Sequence, residues 1–149
     1  MSNNIAIVFP HQLFKTSQVF EKVDTFYLVE EFLFFTQYKF HQQKLAFHRA
    51  SMKAYQDYLS SLAKTVHYIE ATQKESDVRI LITSLKLEGI QDIHIIDPTD
   101  NWLEKRIKSV SSDLAIHWYD NHLFINTKEE LSAFFKPSKK KFLPTFKVK

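Results

Sequence analysis

Five short runs of mostly apolar residues constrain the fold of this chain more than any other feature. They lie at residues 4–9, 25–29, 66–69, 93–96 and 114–119. Each run has the length of one strand, and the first four are nearly continuous in apolar side chains, which is typical of strands covered on both faces. Pro10 ends the first run and Pro98 follows the fourth, and proline cannot donate to a β-ladder. We therefore expect five buried strands.

Segments with helical periodicity separate these runs. The predicted helices cover residues 17–21, 42–62, 78–86, 101–110 and 128–135. Side chains three and four positions apart form an apolar face in the long second helix, and Trp102 is expected on the apolar side of the fourth.

Capping residues define the ends of these helices. Ser76 is expected to cap the third helix and Asp100 the fourth. Gly89 stands where a C-terminal cap belongs. Thr127 and Glu130 have the spacing of a capping box before the last helix.

Short apolar strands that alternate with helices favour a parallel sheet, because each strand then returns through a crossover. The prediction is an α/β fold, namely a Rossmann-like, doubly wound three-layer sandwich with a five-stranded parallel sheet. Ligands in such folds bind at the carboxyl ends of the strands, where the strand order reverses. The segments that leave those ends are residues 10–14, 30–40 and 97–102.

Two residue counts exclude several classes of site. The 149 residues include no Cys, so the chain offers no disulfide, thiolate zinc site, cysteine nucleophile or cysteine-ligated iron–sulfur cluster. Gly89 is the one glycine, which excludes the glycine-rich dinucleotide turn, the P-loop and the nucleophile elbow. Any ligand must be bound by other means.

The basic residues are concentrated at the carboxyl end. Six of the 20 Lys and Arg residues lie in positions 136–149, which leaves 14 basic against 17 acidic residues in positions 1–135. We expect an α/β domain over 1–135, followed by a basic linker or tail that is solvated rather than bound to DNA. The sequence shows no targeting segment and no apolar run long enough for a membrane span, so a cytoplasmic protein without membrane contact is expected.

Neither a metal site nor a hydrolytic site is predicted. His41 and His48 are two helical turns apart, about 10 Å along the axis, which is too far to share one metal. His48, Ser51 and Asp57 fall on one helix, where they form a surface group and not a nucleophile in a strained turn. We expect no catalytic residue and no metal ligand.

The segments that leave the predicted strands carry a recognisable order of motifs. These are His11-Gln12-Leu13, Val29-Glu30, His41-Gln42-Gln43-Lys44, Ala46-Phe47, Ser51-Met52, and Asp97-Pro98 followed by Trp102. This order resembles the amino-terminal domain of the photolyase-related branch of the cryptochrome/photolyase family, the branch with an iron–sulfur cluster and a lumazine antenna. The departures are His11, where the family has an acid, and a one-residue difference in the spacing to Trp102.

The resemblance implies an antenna-chromophore or structural domain of a photolyase-related flavoprotein, whose intact form repairs DNA with light or senses blue light. In that family FAD, the cluster cysteines and the DNA-binding face belong to a large helical half, which is absent from this sequence. We expect this fragment to be non-catalytic, to pack against that half and to meet DNA only through it. The chain is then either a truncated or a naturally separate domain.

The resemblance also implies which residues bind the cofactor. They are His11, Gln12, Leu13, Glu30, Phe34, Gln37, His41, Lys44 and Trp102. The family's Glu and Tyr that hydrogen-bond a lumazine align with Phe34 and Gln37, so we expect purified protein to retain no lumazine. The rings Phe32, Phe34, Phe35 and Tyr38 then either stack on another flat ligand or fill the pocket.

Two other functions fit the same pattern. One is a free-standing Rossmann-like domain that binds a nucleotide or small molecule. The other is an interaction module whose exposed Phe cluster docks a partner, or a second copy of the chain.

Overall fold

The computed structural model describes residues 4–135. Its strands are β1 (Asn4–Val8), β2 (Thr25–Val29), β3 (Thr65–Ile69), β4 (Asp92–Ile96) and β5 (Ala115–Tyr119). They form one parallel sheet in the order β3-β2-β1-β4-β5. The order reverses between β1 and β4, so the crevice in which such folds bind ligands lies at the carboxyl ends of these two strands.

Helices cover both faces of the sheet. They are α1 (Val19–Lys22), α2 (Phe32–Phe35), α3 (Gln42–Ser61), α4 (Val78–Leu87), α5 (Asn101–Val110) and α6 (Lys128–Phe134). Buried side chains of α4 and α5 share one hydrophobic cluster, and those of α1 and α3 share the other. The predicted three-layer α/β sandwich with a five-stranded parallel sheet is confirmed.

The alternation of side chains along each strand builds both clusters. In β1, Ile5 and Ile7 face α4 and α5, whereas Ala6 and Val8 face α1 and α3. All four side chains are at most 4% exposed. Burial of an aliphatic side chain of this kind contributes about 1.5–3 kcal/mol, which explains why the central strands are apolar on both faces.

The prediction of five buried strands is wrong for the two edges. β1, β2 and β4 are mostly buried, but β3 and β5 alternate between exposed and partly buried residues. The reason is that an edge strand has one neighbour and lies at the margin of the helix layers. Trp102 also departs from its prediction, because it is 72% exposed and lies off the buried side of α5.

Most capping predictions are confirmed. Asp100 accepts from the Leu103 N–H, and Thr127 forms the capping box with Glu130. Gly89 follows α4 with φ of +88°, a value that favours glycine.

The expected N-cap of α4 is wrong by one residue. Asp77, not Ser76, accepts from the Arg79 N–H, because Ser76 ends a 3-10 turn, Lys74–Ser76, that delays the start of the helix. The short helix α2 is an element that periodicity did not predict. The expected basic tail, residues 136–149, lies outside the described residues.

Candidate functional site

The crevice between the ends of β1 and β4 is bridged by side chains of the protein itself. The Gln12 side-chain N–H donates to the Ile96 carbonyl at 2.7 Å, and His11 Nε2 lies 3.1 Å from the Pro98 carbonyl oxygen. Gln12 is 1% exposed, and burial lowers the pKa of His11 against the opposing effect of its Pro98 contact. These two contacts connect the segment that follows β1 to the end of β4.

Phe34 and Gln37 have different positions although both follow β2. The Phe34 ring meets the His11 ring edge to face, with centroids 5.1 Å apart, and packs against both hydrophobic clusters. Leu13 is partly buried against the cluster under α1 and α3. Gln37 is exposed and lies beyond the carboxyl end of α2. The structure therefore brings His11, Gln12 and Phe34 together and leaves Gln37 outside the crevice.

Glu30 is fully buried beyond the end of β2 and is held on the α3 side of the sheet. Arg49 Nε and Nη2 each donate to one oxygen of its carboxylate at 2.6 Å. The Tyr68 hydroxyl donates at 2.7 Å and the Ala71 N–H at 2.9 Å. Burial alone would raise the pKa of Glu30, but the hydrogen bonds from Arg49, Ala71 and Tyr68 hold it below its ordinary value. Glu30 therefore joins β2, β3 and α3 through its hydrogen bonds.

Glu31 is equally buried but faces α4 and α5. Its Oε2 accepts from the Val78 N–H at 3.0 Å, while Oε1 lies 3.8 Å from Arg106 Nε. Within the described part of the chain, neither Oε1 nor that Nε has a hydrogen-bond partner. Burial raises the pKa of Glu31 to about 7, against the opposing effects of Arg106 and the Val78 N–H. This carboxyl group is therefore half protonated near neutral pH.

Sequence reasoning missed the partners of these two acids. Arg49 and Arg106 lie 19 and 75 positions further along the chain and belong to amphipathic helices in which a basic residue is unremarkable. A signal was available, because two consecutive acids at the end of a buried strand must find partners on opposite faces of the sheet. The two acids predict that a cationic side chain lies on each face of the sheet, but not which helices provide these side chains.

His41 and Lys44 lie at the start of α3, on the surface. His41 Nδ1 accepts from the Gln43 N–H at 3.2 Å, which makes His41 the N-cap. The Lys44 ammonium lies 4.3 Å from the centre of the Phe40 ring. Both residues have local roles at the helix end, apart from the side chains that fill the crevice.

An open groove of about 410 Å³ lies between α2 and α5, and we call it the α2–α5 groove. Its lining residues are Phe32, Leu33, Gln37, Arg79, Trp102, Lys105, Arg106 and Ser109. Aromatic rings and cations therefore meet in one concave surface. Two of the residues expected to bind a cofactor, Gln37 and Trp102, lie here and not in the crevice.

A second cavity of about 320 Å³ lies beyond the ends of β4 and β5 and has a different chemistry. Asp97, Glu104 and Asp120 are among its lining residues, together with amides and hydroxyls. Among residues 4–135, no cationic side chain lines this cavity. Within residues 4–135, no three His, Cys, Asp or Glu side chains are placed to hold a metal ion.

The helices of residues 4–135 give no indication of membrane insertion. None of them is both long enough and apolar enough to cross a bilayer.

Comparison with known proteins gives two matches that extend over most of the chain. A family model described as deoxyribodipyrimidine photo-lyase-related protein matches residues 6–146. The chain is also 34% identical, over 140 residues, to the uncharacterized protein R852 of Acanthamoeba polyphaga mimivirus, an alignment that covers 88% of this chain and 70% of that relative. The family match begins within β1 and includes the other four strands, the crevice and the α2–α5 groove.

Proposed function

Since the chain belongs to the family of deoxyribodipyrimidine photo-lyase-related proteins, we propose that it is the non-catalytic α/β domain of a light-driven flavoprotein. Within the family we assign it to the iron–sulfur branch, on the motif order of its amino-terminal half. FAD, the cluster and DNA contact then belong to a helical half, which this domain supports.

The filled crevice is the observation that carries a structural rather than a light-harvesting role. Phe34 lies where a family member has a lumazine-binding acid, and its ring packs into both clusters and against His11. The Gln12 amide closes the opening between the strand ends by bonding to Ile96. A lumazine would have to displace a partly buried aromatic ring and would gain no carboxylate partner in return.

An exposed apolar surface supports the partnership with a helical half. Leu123, Phe124 and Ile125 are 64%, 56% and 100% exposed, and Phe134 and Phe135 of the adjoining α6 region are more than 60% exposed. Apolar side chains concentrated in one stretch of sequence are typical of a surface that a partner covers. We propose that the helical half of the flavoprotein packs here.

The test is to mix the purified chain with the separately expressed helical, FAD-loaded half of a full-length family member. Sedimentation velocity should show a 1:1 complex. Phe124→Asp should abolish it, because a buried unpaired charge is costly. The matched control is Leu87→Asp at the end of α4, also strongly exposed, which should leave the complex intact.

Three results would contradict the proposal. One is the absence of a complex at about 50 μM, well above the dissociation constant expected of a specific interface. Another is tight binding of FAD by this chain alone. The third is a stoichiometric lumazine absorbance in the purified protein, which would restore the antenna role.

A further inference from the structure

We propose that the pairing of β5 with β4 depends on proton binding. The stacked imidazole rings of His94 and His117 pack together while at most one of them is charged, and β5 separates from β4 when both are. The two residues lie directly opposite each other in the register of the strands. We call them the His94–His117 pair.

The pair is the centre of a row of titratable groups on the α1 side of the sheet. The two ring centres lie 4.5 Å apart, with planes 18° from parallel. Asp92 Oδ1 lies 2.7 Å from His117 Nε2, and the Tyr119 hydroxyl lies 2.7 Å from His94 Nδ1. On this side of the sheet, β4 and β5 are therefore joined through side chains that can gain or lose a proton.

The two rings differ in their access to water. His94 is 6% exposed, whereas the side chain of His117 is 46% exposed. Burial lowers the pKa of His94, as do the neighbouring His117 and Lys22 of α1, against the opposing effect of Asp92. Two positive rings at this distance repel each other, and water screens the repulsion least at the buried ring. A charge on His94 is therefore costly while the strands are paired.

Separation of the strands removes this cost. β5 lies at the edge of the sheet, so its release breaks a single ladder of the sheet, the one with β4. His94 then loses the cover of His117 and Tyr119, and its pKa returns towards the ordinary value of 6.5. Because the open form binds the proton more tightly, the pairing is complete above about pH 6.5 and weakens as the pH falls through the lowered pKa of His94.

The opposite edge of the sheet provides a comparison within the same molecule. His67 of β3 is stacked on the ring of Tyr27, with ring centres 4.7 Å apart and planes 18° from parallel. The Tyr27 ring carries no positive charge in either state, and a cation over the face of a tyrosine is attracted to it. Acid should therefore release β5 and leave β3 in place.

Release of β5 would also move the exposed apolar residues 123–125, which follow this strand closely. Acid would then weaken the docking of a helical half at that surface. This consequence alone rests on the proposed function.

Hydrogen exchange of the whole chain, measured by mass spectrometry, tests the proposal. After correction for the intrinsic pH dependence of exchange, the protection of residues 115–119 should fall at least about tenfold between pH 7.5 and pH 5. The protection of β1 and β3 should change by much less.

Two variants each leave one imidazole in the pair. His94→Gln and His117→Gln should both abolish the acid-induced loss of protection in β5. Because the side chain of His117 is half exposed, its variant should retain the fold even if the buried substitution disturbs it. His67→Gln is the matched control, and it should leave the response of β5 unchanged.

Three results would overturn the proposal. One is equal protection of β5 at the two pH values. Another is a parallel loss of protection in β1, β3 and β5, which would indicate global unfolding. The third is an acid response of β5 that persists in His117→Gln. All of these measurements use the chain alone, so their outcome is independent of whether a helical half binds it.

Discussion

Glu30 and Glu31 are adjacent in sequence and both fully buried. They lie on opposite sides of the sheet and differ in their hydrogen-bond partners and in the direction of their pKa shifts. On the α3 side, Glu30 accepts four hydrogen bonds, two of them from Arg49. On the α4 and α5 side, one oxygen of Glu31 accepts from the Val78 N–H, and the other lies 3.8 Å from Arg106 Nε with no hydrogen-bond partner in residues 4–135. The pKa of Glu30 is lowered, whereas that of Glu31 is raised to about 7.

The difference shows that the donors around a buried carboxyl group, not its burial, decide its charge. Desolvation disfavours the ionised form at both positions, and it prevails only where the donors are too few or too distant. On the α3 side, both carboxylate oxygens of Glu30 are therefore fully hydrogen-bonded. On the α4 and α5 side, next to the α2–α5 groove, Glu31 Oε1 and Arg106 Nε have no hydrogen-bond partner among the described residues.

The largest expected effect is that of Glu30→Gln. The amide N–H₂ of Gln would face the Arg49 donors, and Tyr68 and Ala71 would share a weaker acceptor. Hydrogen bonds to a charged group contribute about 1.5–3 kcal/mol each, and because the half-exposed Arg49 regains water, we expect a loss of about 3 kcal/mol of unfolding free energy. Urea unfolding at pH 7 measures the loss.

Glu31→Gln is the matched control for that substitution. The carboxyl group is half neutral at pH 7, and Gln preserves the acceptor for Val78. We expect a loss below about 1 kcal/mol. Equal losses in the two variants would refute the contrast between the two sides of the sheet.

The second prediction concerns pH. The pKa of Glu31 is about 7 in the folded state and near 4.5 in the unfolded state, so between these values the folded state binds more protons. Its contribution to stability is complete below pH 4.5 and is lost as the pH rises through 7, by up to about 3 kcal/mol. Glu30 acts in the opposite sense, because its lowered pKa contributes stability above pH 4.5 that is lost in acid.

The measurement is the difference in unfolding free energy between wild type and Glu31→Gln, followed from pH 5 to pH 8. Wild type should lose stability relative to the variant over this range. Histidines with lowered pKa values, such as His11 and His48, titrate in both proteins and cancel. A difference that stays constant with pH would show that Glu31 remains ionised throughout.

The strands of the sheet and most helices could be predicted from the sequence, because each has a local pattern: an apolar run for a strand and helical periodicity for a helix. The apolar run of residues 25–29 predicts β2 without error, and the periodicity of residues 42–62 places α3 within one residue of its end. The exposure of Trp102 was not predictable in this way. Leu103, the next residue of the same turn, is fully buried, and the buried stripe of Leu103 and Ile107 leaves Trp102 on the exposed face of α5.

The candidate site was predicted less well, because its properties depend on pairs of distant residues. The residues that leave β1 and β4 were expected to line a crevice, and Gln12 does lie there, but its hydrogen bond to Ile96 spans 84 positions. Phe34 belongs to the unpredicted helix α2, whereas Gln37 lies beyond the C-cap of that helix, Thr36, and is exposed. No local pattern distinguishes a crevice that is open from one that a nearby ring fills.

The smallest expected effect is that of Tyr68→Phe on the α3 side. The Tyr68 hydroxyl donates to Glu30 Oε1 at 2.7 Å, but that oxygen keeps its bond from Arg49 Nε. The ring remains in place beneath the Lys53 ammonium, 3.4 Å from its centre. Loss of one hydrogen bond that leaves no unsatisfied acceptor costs about 1 kcal/mol.

Tyr27→Phe is the matched control, because Tyr27 lies on the neighbouring strand but on the opposite face, stacked on His67. Its unfolding free energy should change by less than about 0.5 kcal/mol. Tyr68→Phe should also raise the pKa of Glu30, so that acid unfolding begins at a higher pH than in wild type, while Tyr27→Phe leaves it unshifted. If both variants behave alike, then Arg49 and Ala71 alone hold Glu30 ionised, and the tyrosine contributes only its ring.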